Sequence, residues 1–119
     1  MVEREVWLQP FAEKVTKLDL WEWLPGMQYW YGGMTYRISF ILPCGTYVAY
    51  DEEGIRQYGV EISGYPDLDD PATKGCMLGL LFKHGFDVHI DKFWEPDKLV
   101  STLTWADALN SVKCNNRHV

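Results

Sequence analysis

Chemistry in a chain of 119 residues rests on few side chains, and the candidates are quickly gathered. Cys44, Cys76, His84 and His89 offer the sulfur and nitrogen donors that zinc takes, but their separations follow no zinc-binding spacing. Cys76 falls in the apolar stripe of an expected helix, the usual setting of an inert buried thiol. No metal and no other cofactor is therefore expected. Asp87, His89 and Asp91 alternate along one segment, and a carboxylate beside an imidazole is an ingredient of acid–base catalysis. No nucleophile accompanies them, so a solvent-facing charged strand is the simpler reading. None of Ser39, Ser63, Ser101 or Ser111 lies in a Gly-x-Ser-x-Gly elbow. Cys44 in Pro43-Cys44-Gly45 sits on an expected turn without the neighbouring cations that activate a thiol. Gly32-Gly33 lacks the lysine and the spacing of a phosphate-binding loop. No residue is assigned a catalytic role, and the reading leans away from an enzyme.

Binding chemistry is better represented. Trp21, Trp23, Tyr29, Trp30 and Tyr31 fall within eleven residues, in a stretch containing Pro and Gly. Aromatic side chains dominate protein interfaces and also stack on planar ligands. The competing role for these rings is to fill the core. Net charge is −6, and seven acids lie between Asp51 and Asp70 against the single base Arg56. Asp51, Glu52, Glu53, Asp67, Asp69 and Asp70 thus form a candidate acidic face, suited to a basic partner or to solubility alone. With no basic cluster, direct nucleic-acid binding is not expected. An alternative site joins Trp30 and Tyr36 to Arg37 and Arg56, as an aromatic pocket with a cationic wall for a small ligand.

These residues need elements to position them. Pro10 reads as the first position of a short helix over 10–18, with 3–8 before it an extended arm or edge strand. Met34, Tyr36, Ile38, Phe40 and Leu42 share one face of an expected strand. Pro43-Cys44-Gly45 turns into a second strand over 46–50, and Tyr58, Val60 and Ile62 mark a third. Asp70-Pro71 places a capping carboxylate before a first-turn proline, opening a helix stopped by Gly85. Gly75 and Gly79 inside it point to close packing of the helix backbone. Further strands are expected over 86–91 and 99–103, then a short helix capped by Thr104, with Asp107 in its first turn and Trp105, Ala108, Leu109 and Val112 on its apolar face. The sum is an α+β fold: a mostly antiparallel sheet of about five strands with two or three helices packed on one side. Residues 1–114 form a single domain, and 115–119 a frayed polar tail. No run of apolar residues is long enough to span a membrane, the N-terminus lacks a secretory signal, and three unpaired-looking cysteines fit a reducing, cytoplasmic setting.

Trp23-Leu24-Pro25-Gly26-Met27 leading to Gly32-Gly33-Met34 and Arg37, the run from Pro66 to Leu78, and Thr104 to Leu109 resemble a group of small phage- and prophage-encoded proteins to which no activity is attached. The resemblance implies an accessory gene of a phage or other mobile element. Small acidic proteins in that setting act by binding. The leading expectation is a non-enzymatic protein that engages a host protein with a basic site, as an inhibitor of host defence. It would do so through the aromatic segment and the acidic face. A sequestering pocket or modest enzyme is the alternative, and an assembly component acting as a homo-oligomer is a third.

Overall fold

The computed structural model describes residues 3–88 and 94–116. Its elements run α1 (Glu3–Thr16), β1 (Gln28–Tyr31), β2 (Met34–Ile41), β3 (Tyr47–Asp51), β4 (Arg56–Gly59), β5 (Tyr65–Pro66), α2 (Pro71–Lys83) and α3 (Pro96–Asn116). The five strands form one antiparallel sheet in the order β4-β3-β2-β1-β5, with the helices on one side, so the α+β architecture holds. Among the described residues no helix is long and apolar enough to cross a membrane.

The core forms where the helix stripes meet the inner face of the sheet. Ala12 and Val15 from α1, Met77, Leu80 and Leu81 from α2, and Leu99, Leu103 and Ala106 from α3 close on Met27, Tyr29, Ile38 and Ala49. Each fully buried large aliphatic side chain contributes about 2 kcal/mol relative to exposure. That burial explains two departures from the expected elements. Leu8, Ala12 and Val15 recur at helical spacing and are all buried, so α1 begins at Glu3, and Pro10 lies inside it on the exposed side. No extended arm exists over 3–8. Likewise Leu99, Val100, Leu103 and Ala106 form a buried helical stripe, so residues 99–103 belong to α3 and not to a strand. Pro96 stands at the first position of that helix and Asp97 in its first turn.

Thr104 and Asp107 therefore lie mid-helix. The Thr104 hydroxyl donates to the Val100 carbonyl (2.6 Å), while Asp107 Oδ1 accepts the Leu20 backbone N–H (2.9 Å). Trp105, Leu109 and Val112 point outward, opposite to expectation, although Trp105 packs edge-to-face on Phe86 (5.5 Å). Residues 86–88 form no strand, and His89, Asp91 and the rest of that expected strand lie outside the described residues. The third strand is Arg56–Gly59, so Val60 and Ile62 lie beyond it. Strands β1 and β5 were not expected.

Helix α2 matches its signals. Asp70 caps it, accepting the Thr73 N–H (3.0 Å), and Pro71 opens it. Gly75 and Gly79 are exposed, however, and a methyl at either meets nothing within 4 Å, so close packing does not explain them.

Strand β2 carries a bulge. Ile38 pairs with Ala49 but Phe40 with Val48, which leaves Ser39 as an extra residue between them. A residue inserted into a strand of period two exchanges the faces beyond it. Tyr36 and Ile38 point inward as the alternation predicts, but Ile41 follows them, and Phe40 and Leu42 are exposed.

Candidate functional site

The chain leaves β4 at one edge of the sheet and enters β5 at the other. Four strand spacings separate those edges, about 19 Å in a flat sheet. The stretch from Gly59 to Tyr65 reaches only about 20 Å when fully extended. Gly59 pairs with Tyr47, itself opposite Ile41, whereas Tyr65 pairs with Trp30, opposite Thr35, so the crossing is also diagonal. Residues 60–64 are therefore a short strap that changes direction at Val60, Glu61 and Gly64, and the sheet must curl toward its inner face to let so short a link cross. The bulge at Ser39 supplies local bend and twist.

Glycine leaves room at both ends of the strap, and at Gly64 the neighbouring backbone demands it. A methyl on Gly59 would lie 2.6 Å from Cε1 of Tyr47, and one on Gly64 would overlap the Trp30 carbonyl oxygen. Ile62 packs toward the core, and Val60 is 75% exposed.

Curling gathers tyrosines from several strands. Tyr29, Tyr31, Tyr36, Tyr47 and Tyr58, with Gln57 and Ser63, line a cavity of about 240 Å³. Tyr31 and Ser63 also border an adjoining cavity of about 290 Å³ that extends past Trp30, Gly32-Gly33 and Tyr65 to Gln9. Together the two reach the size of a small-ligand site. Tyr29 and Tyr36 stack at 5.2 Å and 19°, whereas Tyr47 stands at 84° to Tyr29, 6.4 Å away. Trp23 continues the chain of rings edge-to-face on Tyr29 (5.8 Å), and Trp21 packs on Trp23 (5.4 Å). A third cavity of about 380 Å³, beside Trp21, Trp23, Tyr47 and Glu61, shares Tyr47 with the 240 Å³ cavity.

No charged side chain lines the first two cavities among the described residues. Burial, reinforced by a hydrogen bond with Tyr47, pushes the Tyr29 phenol far above its ordinary range and keeps it protonated. Among the described residues the cleft therefore offers aromatic rings and neutral hydrogen-bonding groups, the Ser63 hydroxyl among them. No three His, Cys, Asp or Glu side chains converge to hold a metal ion among the described residues.

The residues singled out from the sequence are distributed differently. Of the aromatic segment, Tyr29 and Trp30 are buried, Trp21 and Trp23 half-buried, and Tyr31 alone stands out at 58% exposure. The Trp21 indole N–H is buried and finds no hydrogen-bond partner among the described residues.

The acidic stretch divides. Asp67 is 2% exposed, with Oδ2 accepting Gln28 Nε2 (2.9 Å) and Oδ1 the Asp69 N–H (3.1 Å). Asp70 receives the Arg37 guanidinium through two bonds of 2.9 and 3.0 Å. Arg37 also donates to the Gly26 carbonyl (2.8 Å) and to Gln28 Oε1 (2.7 Å), while Thr73 Oγ1 accepts the Gln28 N–H (3.0 Å). This network fastens the start of α2 to β1 and β2. Asp67 and Asp70 are thus structural and not parts of an exposed acidic face. Burial pushes the Asp70 carboxyl upward, but Arg37 and the Thr73 N–H and hydroxyl outweigh it and hold the group below its usual range. Asp51 Oδ1 accepts the Glu53 and Ile55 N–H groups (2.9 Å each), shaping the turn from β3 to β4, where Glu52 and Glu53 are exposed.

The alternative quartet is not assembled either. Trp30 and Tyr36 line different cavities, Arg37 is held by Asp70, and Arg56 lies 5.1 Å over the Tyr58 ring. What the sequence reading missed is the contribution of Tyr47, Gln57, Tyr58, Ser63 and Tyr65. One signal was present: all seven tyrosines fall within residues 29–65. Comparison with protein-family models, with curated proteins and with solved structures finds no match.

Proposed function

We propose that this is a non-enzymatic binding protein, an accessory product of a phage or mobile element, that sequesters a small ligand in the tyrosine-lined cleft. The observation that carries the proposal is one cavity bordered by Tyr29, Tyr31, Tyr36 and Tyr47, with Tyr31 more than half exposed at its border. A fold with a sufficient core does not require large rings at a solvent border, and tyrosine gives broad contact at low entropic cost. The absence of charge from the lining suits binding better than catalysis.

The test is to incubate the tagged protein with the small-molecule fraction of a bacterial lysate, desalt it, and weigh it intact under native conditions. A bound mass that is absent from a folded Tyr31→Ala variant is the expected result. Retention of the same mass by that variant would sink the proposal.

A second reading, engagement of a host protein, draws on the outer face of the sheet. There the register sets Phe40, Val48 and Tyr58 in one row and Tyr50 and Arg56 in the next. Phe40 and Tyr50 are exposed on that face, and Glu52 and Glu53 follow at the adjacent turn. An apolar centre beside acids fits a basic-rimmed partner. Salt-sensitive capture of one host protein, abolished by Phe40→Ala with Tyr50→Ala, is the corresponding result.

A further inference from the structure

We infer that the free edge of β4 is a self-association surface: two copies of this chain pair their β4 strands antiparallel about a two-fold axis and join their sheets into one. This surface does not depend on what the cleft binds. The two margins of the sheet are guarded unequally. An edge strand exposes unpaired N–H and C=O groups, which proteins ordinarily cover, interrupt or shorten. Strand β5 is two residues long, its Pro66 has no N–H to offer, and α1 packs beside it, with the Tyr65 hydroxyl donating to Glu13 (3.3 Å). Strand β4 pairs with β3 alone among the described residues and has no proline, lysine or bulge, its one charge being Arg56. Ile55, Tyr58 and Val60, along and beside it, are each more than half exposed.

The ladder fixes which groups are free. In an antiparallel pair, residues alternate between turning their N–H and C=O toward the partner strand and turning them away. The Asp51 N–H donates to the Ile55 carbonyl (3.0 Å), so Ile55, and with it Gln57 and Gly59, face β3. Arg56 and Tyr58 therefore turn their N–H and C=O groups outward, where no described residue takes them up.

These groups are self-complementary. A two-fold axis at Gln57 sets Arg56 of each copy opposite the partner's Tyr58, and all the free groups of both strands then find partners. Moving the axis to Arg56 opposes two guanidinium groups. Moving it to Tyr58 sets Arg56 against Val60, where the chain bends away from the strand. The side chains favour the same register. Arg56 and Tyr58 share the outer face, and the guanidinium already lies 5.1 Å over the Tyr58 ring. Across the axis, the partner's Tyr58 offers that cation a second ring. The row of Phe40, Val48 and Tyr58 then runs on into the partner's Arg56 and Tyr50. A foreign strand would find the same hydrogen bonds, but a second copy brings Arg56 and Tyr58 to each other in matched positions.

A strand of four residues with its flanking rings buries an area at the small end of specific interfaces, so the dimer is weak. Sedimentation equilibrium of the intact protein from about 10 µM to about 1 mM should show the mass rising from monomer toward dimer. Tyr58→Pro removes an outward N–H and no bond to β3, the kind of position at which an edge strand tolerates proline. It should weaken the dimer about tenfold or more, whereas Tyr58→Phe should stay within about twofold of the parent. Gln57→Cys, in a Cys44→Ser background that removes the exposed native thiol, reads the register. Residues facing each other at the axis lie about 4.5 Å apart at Cα, within disulfide reach. Diamide should join two such chains through position 57, seen as a linked peptide by mass spectrometry. Ile55→Cys, exposed but two residues from the axis, should link about tenfold less.

A protein that stays monomeric across this range would overturn the inference, even with a foreign segment found on the edge. So would a dimer that Tyr58→Pro leaves intact, or equal linkage through positions 55 and 57. Should Tyr58→Pro unfold the chain, the link at position 57 decides alone.

Discussion

Gly64→Ala is the most severe small change the structure offers, and its cost follows from where the added methyl would go. That carbon would overlap the Trp30 carbonyl oxygen and lie 2.7 Å from Tyr29 Cδ2 and 2.9 Å from the Trp30 carbonyl carbon. Two of these three atoms are backbone of β1, which is paired on one side with β2 and on the other with β5 and has no room to retreat. Gly64 cannot easily lift away either, since the next residue, Tyr65, is paired with Trp30. Overpacking of this kind costs about 3 kcal/mol, and reduced freedom of the unfolded chain offsets about 0.5 kcal/mol. The expected net loss is about 2.5 kcal/mol. Gly59→Ala is milder, because its methyl meets the far end of the Tyr47 ring (2.6 to 2.7 Å), which can swing aside at the expense of the cleft. Gly79→Ala, in an exposed helical position with nothing within 4 Å, should stabilise by about 1 kcal/mol. Urea unfolding at constant slope measures all three. The same chemical change thus gives opposite signs at two sites. A Gly64→Ala midpoint at or above that of the parent would refute the seating of the strap on β1.

Two further expectations concern titratable groups. The folded-state pKa of Asp70 lies below its unfolded value, so the Arg37 pair contributes fully above about pH 4 and is lost as pH falls through the folded value. Asp70→Asn keeps a capping side chain, so it should cost about 1 kcal/mol at pH 7, Arg37 being half exposed, and less at pH 3. Paired urea midpoints at the two pH values check this, and an equal cost at both would remove the ion pair from the account. Thr46, through its side chain and backbone, lowers the thiol pKa of the exposed Cys44, whereas burial pushes Cys76 up. Iodoacetamide should therefore label Cys44 about tenfold or more faster than Cys76, as peptide mass spectrometry will report. Comparable rates would contradict the burial of Cys76.

The parts of the fold that were legible in the sequence are those coded by neighbours. Asp70 beside Pro71 states a helix start in two residues, and the hairpin from β2 to β3 is written in its alternation and in Gly45. Helix α3 was misread because Val100, Thr102 and Thr104 favour strands locally, and only burial of Leu99, Leu103 and Ala106 together decides for helix. Strand β5 is two residues long and gains its identity from pairing with β1 alone. The face of Phe40 depends on one unpaired residue, Ser39, which no periodicity announces. The cleft was hidden for the same reason. Tyr29, Tyr36 and Tyr47 meet only through cross-strand register, which is a property of the whole sheet. The acidic residues misled in the opposite direction: Asp67 and Asp70 read as surface charge until the partners Gln28 and Arg37, distant in sequence, are in place.

The strap also changes what it means for β4 to be an outermost strand. An edge strand with one paired side ordinarily opens first, giving up its amide hydrogens while the middle of the sheet stays closed. Here residues 60–64 join β4 directly to β5 on the opposite edge, so a displacement of β4 acts on a five-residue link whose far end, Gly64, is seated against β1. The two margins of the sheet are thus tied by a short link, which restrains local opening at either. Hydrogen exchange should then find the amides of β4 and β5 protected as one cooperative unit, and a single cut in the strap should release both.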